Sequence, residues 1–111
     1  MLFRSTDAIQ GTLDMLILKS LSLQPMHGFG VTQRIEQISK GVFKVNPGSL
    51  LLGFQRMERE GLIDAEWRMS ENNRRAKYYT LTGKGRKQLK LDTDDWQRRV
   101  AAIARLLEAE A

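Results

Sequence analysis

Two short segments of strand-forming residues follow three short helical segments, and this order is the feature that most constrains the fold. Residues 62–69 and 76–81 contain the apolar, branched and aromatic residues that are typical of strands. The six residues between them, Ser-Glu-Asn-Asn-Arg-Arg at positions 70–75, form a polar turn. The pattern therefore predicts an antiparallel hairpin placed between helices.

Before the hairpin, the chain predicts two helices separated by a clear break. From Ala8 to Leu23 the apolar residues recur at helical spacing, namely Ile9, Leu13, Leu16, Ile17 and Leu21. Pro25 and Gly28 interrupt this pattern, because proline lacks a backbone hydrogen-bond donor and glycine leaves the backbone free to leave the helical conformation. A second helix is predicted from about Phe29 to Ser39 with one apolar face, formed by Val31, Ile35 and Ile38. Lys40-Gly41 is a typical helix end.

A third helix and a long last helix complete the predicted order. After a short extended connector, Asn46-Pro47 combines an N-cap with a proline at the first helical position, and Gly61 ends the third helix after Glu60. Its predicted inward face is Leu50, Phe54 and Met57. Thr82 can cap the last helix, which runs close to the C-terminus with an apolar stripe at Leu89, Trp96, Val100, Ile103 and Leu107.

The predicted fold class is mainly α with a small β-ribbon. Three short helices followed by a two-stranded ribbon form a winged helix-turn-helix, in which the second and third predicted helices are the helix-turn-helix and the ribbon is the wing. The expected organisation is a DNA-binding domain at residues 1–81, with a C-terminal dimerisation helix at residues 82–111.

Charge points to a polyanionic partner. The 111 residues include 18 Lys/Arg and 13 Asp/Glu, a net charge of +5, which by itself says little about function. The segment from Arg68 to Lys90, however, holds eight Lys/Arg against a single acid, Glu71. A basic ribbon beside a helix pair is typical of proteins that hold a nucleic-acid backbone, so double-stranded DNA is the expected partner.

Within this fold, particular residues are candidates for DNA contact. In a helix-turn-helix the second helix of the pair enters the major groove, so Ser49 and Gln55 can read bases and Arg56 can reach a base or a phosphate. At the wing, the candidates are Asn73, Arg74, Arg75 and Lys77. The alternatives are a merely solvated helix face and a charged hairpin that prevents edge-to-edge aggregation.

The apolar stripe of the last helix is too long for a lone surface helix on so small a domain. We interpret it as a two-fold dimer interface, and a homodimer would bind a palindromic operator. The alternative is packing against the first helix of the same subunit, and both can hold. Trp96 lies in the middle of the stripe, where it is either a core anchor or one wall of a small apolar ligand pocket.

Several other classes of function find no support. The chain has no cysteine, its start lacks an apolar signal core, and its longest apolar runs are about four residues, which favours a cytoplasmic protein without a membrane span. His27 is the single histidine, without a second catalytic or metal-binding partner in view, and we expect it to be structural or a helix cap. Asp92, Asp94 and Asp95 are interpreted as a solvated face. No enzyme, metal or cofactor is expected.

Taken together, these motifs resemble the PadR family of bacterial transcriptional regulators, in its short form with a single C-terminal helix. The resemblance covers roughly Gln10 to Leu107 and is carried, in order, by residues 11–18 (GTLDMLIL), 25–31 (PMHGFGV), 47–50 (PGSL), 56–63 (RMEREGLI) and 72–85 (NNRRAKYYTLTGKG). It implies a homodimeric winged-helix regulator, usually a repressor. Some members of the family release DNA when they bind a small aromatic or hydrophobic effector. Carried onto this chain, the DNA-facing positions lie around Ser49 to Gln55, with Arg74, Arg75 and Lys77 in the wing.

One departure from the family pattern concerns the third helix. Where the family usually has Tyr-Pro, this chain has Leu51 and Leu52, so a hydrogen-bond donor is lost and two leucines face or border the DNA surface. Three consequences are open: weaker binding, a sequence preference shifted towards thymine methyl groups, or a winged-helix module that has exchanged DNA for a protein partner.

Overall fold

Four helices and a three-stranded antiparallel sheet make up the described part of the chain. The computed structural model describes the backbone of residues 5–110 and the side chains of residues 12–110, so the side chain of Ile9 lies outside the described residues. The elements are α1 (Ser5–Leu23), β1 (Met26–His27), α2 (Gly28–Ile38), α3 (Pro47–Arg59), β2 (Ile63–Met69), β3 (Arg75–Leu81) and α4 (Gly83–Glu108). The predicted fold class is confirmed, as is the order of every predicted element.

The sheet has one strand more than the sequence predicts. Its strand order is β1-β3-β2, and β1 pairs with β3 through Met26 opposite Tyr79 and His27 opposite Tyr78. The sequence pattern predicts these residues only as part of the break between the first two helices. A strand of two residues shows no alternating pattern, and its partner lies some fifty residues further along the chain, so the local sequence gives no signal for it.

The helix caps explain why the helices begin and end where they do. The Asn46 side chain accepts hydrogen bonds from the backbone N–H of Gly48 and Ser49, and the Thr82 hydroxyl accepts one from Gly85. Gly61 has a positive φ of 77°, which stops α3 and turns the chain into β2. The predicted caps are confirmed, and the predicted ends of α2, α3 and both long strands differ from the observed ones by one residue.

The hydrophobic core lies between the first three helices and the sheet. Phe54 of α3 stacks on Tyr79 of β3 with ring centroids 4.0 Å apart, which fixes α3 against the sheet. The predicted inward residues of α3 are all buried, as are Val31 and Ile35 of α2. Ile38, predicted on the same face of α2, is 65% exposed, because α2 ends at this residue and its buried contacts stop one turn earlier.

The first half of α4 is fixed to the rest of the chain by close packing. A Cβ atom at Gly85 would lie 2.1 Å from the carbonyl oxygen of Leu62, so this position accepts only a glycine. Leu89 packs against the core, while the second half of α4 extends outwards. The chain is accordingly elongated, with a long dimension of 60 Å and a radius of gyration of 15.8 Å. A compact chain of this length has a radius of gyration of about 13 Å.

Candidate nucleic-acid interface

Helix α3 turns one face to the core and the opposite face to solvent. Its buried residues are Leu50, Gly53, Phe54 and Met57. At about 100° per residue, the centre of the opposite face is formed by Leu52, Gln55 and Arg59, all of them exposed. Leu51 lies to one side of this face, towards α2 and the wing, and it lines the groove between those two elements. The outward face therefore combines two leucines with one amide and one guanidinium group.

Two of the predicted DNA-contacting residues lie on the other side of α3, towards α1. The Arg56 guanidinium donates a hydrogen bond to Asp14 Oδ1 at 2.7 Å, and both side chains are largely covered. The hydrogen bond to this carboxylate raises the pKa of Arg56 above its ordinary value, although partial burial opposes the change. Ser49 is exposed but borders the cavity between α1 and α4. The structure thus separates Ser49 and Arg56 from Leu52 and Gln55.

The wing tip is a tight turn that presents its cations to solvent. Ser70 N–H donates to the Arg74 carbonyl at 2.7 Å, and Asn73 adopts a left-handed conformation with φ of 58°, which asparagine tolerates well. Arg74 and Arg75 are exposed, and neither has an ion pair with any described residue. The Arg75 guanidinium lies 5.0 Å from the centre of the Trp67 ring. This cation–π contact orients Arg75 without neutralising it.

Lys77 connects the wing to α3. Its ammonium group lies 3.3 Å from Glu58 Oε1, in a pair that is partly exposed on both sides. The same group lies 5.8 Å from the ring centre of Tyr79, whose pKa is raised by burial and pulled back slightly by this nearby charge. The pair links β3 to α3, and it leaves Lys77 less available than Arg74 and Arg75.

Three residues of this surface were not among the predicted contacts. Arg59 lies at the centre of the outward face of α3, and Trp67 supports Arg75. Arg34 of α2 lines the groove shared with Arg74 and Arg75, and its Nε is buried with no hydrogen-bond partner among the described residues. The helical spacing from Leu52 to Arg59 was available in the sequence, but the groove between α2 and the wing depends on tertiary packing.

Not all of the basic segment is free for a partner. The Lys84 ammonium donates to the Glu60 carbonyl at 2.7 Å and so stabilises the end of α3. Arg68 pairs with Glu66 on the wing, and Lys90 pairs with Asp94 on α4 at 3.2 Å. Among the described residues of this segment, the cations with neither an ion pair nor a side-chain hydrogen bond are Arg74 and Arg75 at the wing tip and Arg86 and Lys87 at the start of α4.

The residues predicted for the dimer interface fall into two groups. Leu89 packs against the core of its own subunit, which agrees with the alternative of packing within one chain. The other four are exposed: Trp96, Val100, Ile103 and Leu107. Trp96 also borders an open cavity of about 970 Å³ between α1, the connector at residues 42–46 and α4, where Leu16 and Phe43 lie opposite.

Two further titratable residues, His27 and Asp95, have structural partners. His27 caps α2, because its Nδ1 accepts a hydrogen bond from Gly30 N–H at 3.0 Å, as predicted. On α4, Asp95 pairs with Arg98 and Arg99. Among the described residues no group of three His, Cys, Asp or Glu could hold a metal ion, and no described helix is long and apolar enough to cross a membrane.

Comparison with known proteins agrees with this architecture. A PadR-like transcriptional regulator from Bacillus cereus is 26% identical, with a TM-score of 0.80, and the match covers 94% of this chain and 99% of that one. A transcriptional regulator from Clostridium thermocellum, 24% identical with a TM-score of 0.83, shares the fold over 96% of this chain and 100% of its own. An uncharacterized protein of Lysinibacillus sphaericus is 28% identical over 91 residues, covering 82% of this chain and 84% of its own.

The family match covers most of the chain. The sequence model described as "Transcriptional regulator PadR-like family" matches residues 17–91, which include the end of α1, the helix-turn-helix, the wing and the first third of α4. The chain belongs to the PadR-like family of transcriptional regulators, and it is a regulator rather than an enzyme.

Proposed function

We propose that this chain is a cytoplasmic, homodimeric repressor that binds a palindromic DNA operator. The observation that carries the proposal is the charge of the surface formed by α3, the wing and the groove between α2 and the wing. Seven cations on α3, the wing and the groove lining stand against four acids: Arg34, Arg56, Arg59, Arg68, Arg74, Arg75 and Lys77 against Glu58, Asp64, Glu66 and Glu71. Such an excess favours a polyanion over a protein of mixed charge.

The proposed docking follows from the direction of each element. Helix α3 would enter the major groove, where the Gln55 amide can pair with a base edge, an adenine being the best match. The wing would follow the phosphates beside the groove through Arg74 and Arg75. Arg34 lines the groove between α2 and the wing, so its guanidinium group adds positive charge beside these phosphates.

The second half of α4 supports the proposed homodimer. Its exposed stripe projects from the body of the subunit, so the same surface of a second copy can cover it about a two-fold axis. Two copies would then present two α3 helices to half-sites about one helical turn apart.

The cavity beside Trp96 supports a small effector. Its walls include an indole ring, Leu16 and Phe43, a lining that suits a hydrophobic or aromatic molecule. Since the cavity borders both α4 and the start of α3, a bound molecule can change how the two α3 helices are spaced. We propose that such binding releases the DNA.

Fluorescence anisotropy tests the central proposal. Wild-type protein is titrated into labelled upstream fragments and into a random-sequence duplex, at about 50 mM and about 200 mM salt. Tight binding to one upstream fragment, with affinity that falls steeply as salt rises, is the expected result. Absence of binding to every duplex at low salt would contradict the proposal and favour the protein-interaction module.

A further inference from the structure

The outward face of α3 exposes two large apolar side chains where a DNA-reading helix normally presents polar ones. Leu51 is 52% exposed and Leu52 is 67% exposed, although α3 buries a complete apolar face of its own on the opposite side. Both lie within the first half of the helix that begins at the Asn46 cap, the part that meets base edges in this type of fold.

The chemistry of the major groove limits what these leucines can recognise. A leucine side chain neither donates nor accepts a hydrogen bond, so it cannot read the donor and acceptor pattern of a base pair. A phosphate would lose water against a leucine without gaining a partner. The C5-methyl group of thymine is the apolar group that the major groove displays.

The charges around the two leucines favour DNA over an apolar protein partner. Arg59 follows Leu52 by two turns on the same exposed face. Leu51 borders a groove whose charged residues are four cations and one acid: Arg34, Arg74, Arg75, Lys77 and Glu71. A partner that brings apolar groups to the leucines must therefore also bring several negative charges. Methyl groups between two phosphate backbones satisfy both conditions.

We propose that Leu51 and Leu52 determine the sequence preference of this regulator by packing against thymine methyl groups in each half-site. The proposal rests on the proposed function, since it concerns how the DNA is read. The two side chains leave α3 about 100° apart, so they contact different base pairs and select thymine at two positions. The half-site is therefore selected by shape and apolar contact at these positions, with Gln55 as the polar reader beside them.

Replacing thymine by deoxyuracil tests this contact, because it removes the methyl group and leaves base pairing unchanged. Preferred sites are first selected from a random-sequence pool with the wild-type protein, then synthesised with thymine or deoxyuracil. Loss of one buried methyl group is expected to weaken binding about fourfold, and several contacted methyl groups multiply this factor. Equal affinity for the two duplexes would overturn the inference while leaving the proposed function intact.

A variant series separates a direct contact from a change in DNA flexibility. In Leu51→Ala and Leu52→Ala the affinity for the thymine site should fall, and each variant should lose its sensitivity to deoxyuracil at one position. The matched control is Leu91→Ala, since Leu91 is similarly exposed but lies on α4, away from the stripe. Undiminished deoxyuracil sensitivity in both α3 variants would assign the effect to the DNA and overturn the inference. If the wild-type protein binds no DNA at all, the proposed function itself is wrong.

Discussion

The α3–wing surface and the outer half of α4 both expose large apolar side chains, but they do so in opposite electrostatic settings. On α3, Leu51 and Leu52 lie among cations that have few acidic partners. On α4, Trp96 and Val100 lie beside charges of both signs, where Asp95 pairs with Arg98 and Arg99 along the helix.

This difference separates two kinds of partner that hydrophobic exposure alone would not distinguish. Exposed apolar surface of this kind usually marks an interface. Paired charges at the border of the α4 stripe can stay in solvent at the rim of a contact between two copies, so they oppose that contact little. Unpaired cations around α3 would repel a second copy of themselves, whereas a polyanion neutralises them. The same type of side chain therefore indicates a second copy in one region and DNA in the other.

The largest expected effect comes from charging the α4 stripe. In Trp96→Lys with Val100→Asp, burial of charges at a two-fold contact should dissociate the dimer, and the protein should sediment as a monomer. Affinity for a palindromic site should then fall by about a hundredfold or more, because the second half-site is no longer held at high effective concentration. Analytical ultracentrifugation and anisotropy measure the two effects on the same samples.

A control on the same helix shows whether the position of the charge matters. Leu91→Lys adds a charge to an exposed leucine on the opposite side of α4, and it should leave both the sedimentation and the DNA affinity close to wild type. If the double variant still sediments as a dimer, the interface lies elsewhere on the molecule.

The next largest effect is expected at the wing. Arg74→Ala with Arg75→Ala should weaken binding to all DNA sequences by about ten- to a hundredfold and reduce the salt slope by up to about two units, because phosphate contacts carry salt dependence rather than sequence preference. The dimer should persist. Arg68→Ala is the matched control, since Arg68 is on the same wing but is paired with Glu66. If the salt slope of the double variant is unchanged, the wing does not contact DNA.

The sequence predicted those features whose signals are local. The caps at Asn46 and Thr82 and the stop at Gly61 act within a few residues of themselves, and each is confirmed. The same holds for the inward face of α3. The strand β1 was not predicted, because it forms by pairing with β3, which lies in a distant part of the chain.

For the candidate site, the sequence located the elements but not the surroundings of individual side chains. Helical spacing places Arg59 at the centre of the outward face and Arg56 to one side of it, but spacing alone does not show that Arg56 has a partner. Asp14 lies 42 residues before Arg56, and only the packing of α1 against α3 brings the two together. The wing residues were easier to place, since a turn at the tip of a hairpin has no neighbour that could cover it.

The smallest expected effect separates these two arginines of α3. Arg56→Gln removes the ion pair with Asp14, which is 2.7 Å long and mostly covered, and should lower the free energy of unfolding by about 1 kcal/mol. Because this charge is already neutralised by Asp14, the salt slope of DNA binding should change by less than about half a unit. Urea unfolding and anisotropy at several salt concentrations give the two quantities.

Arg59→Gln is the matched partner, since it makes the same substitution on the same helix at an exposed position. Here stability should stay within about 0.5 kcal/mol of wild type, while the salt slope should fall by about one unit. If instead Arg56→Gln lowers the salt slope and Arg59→Gln does not, the ion pair between Arg56 and Asp14 must open when the protein binds DNA. The DNA surface would then extend across α3 towards α1, and Ser49 would join it.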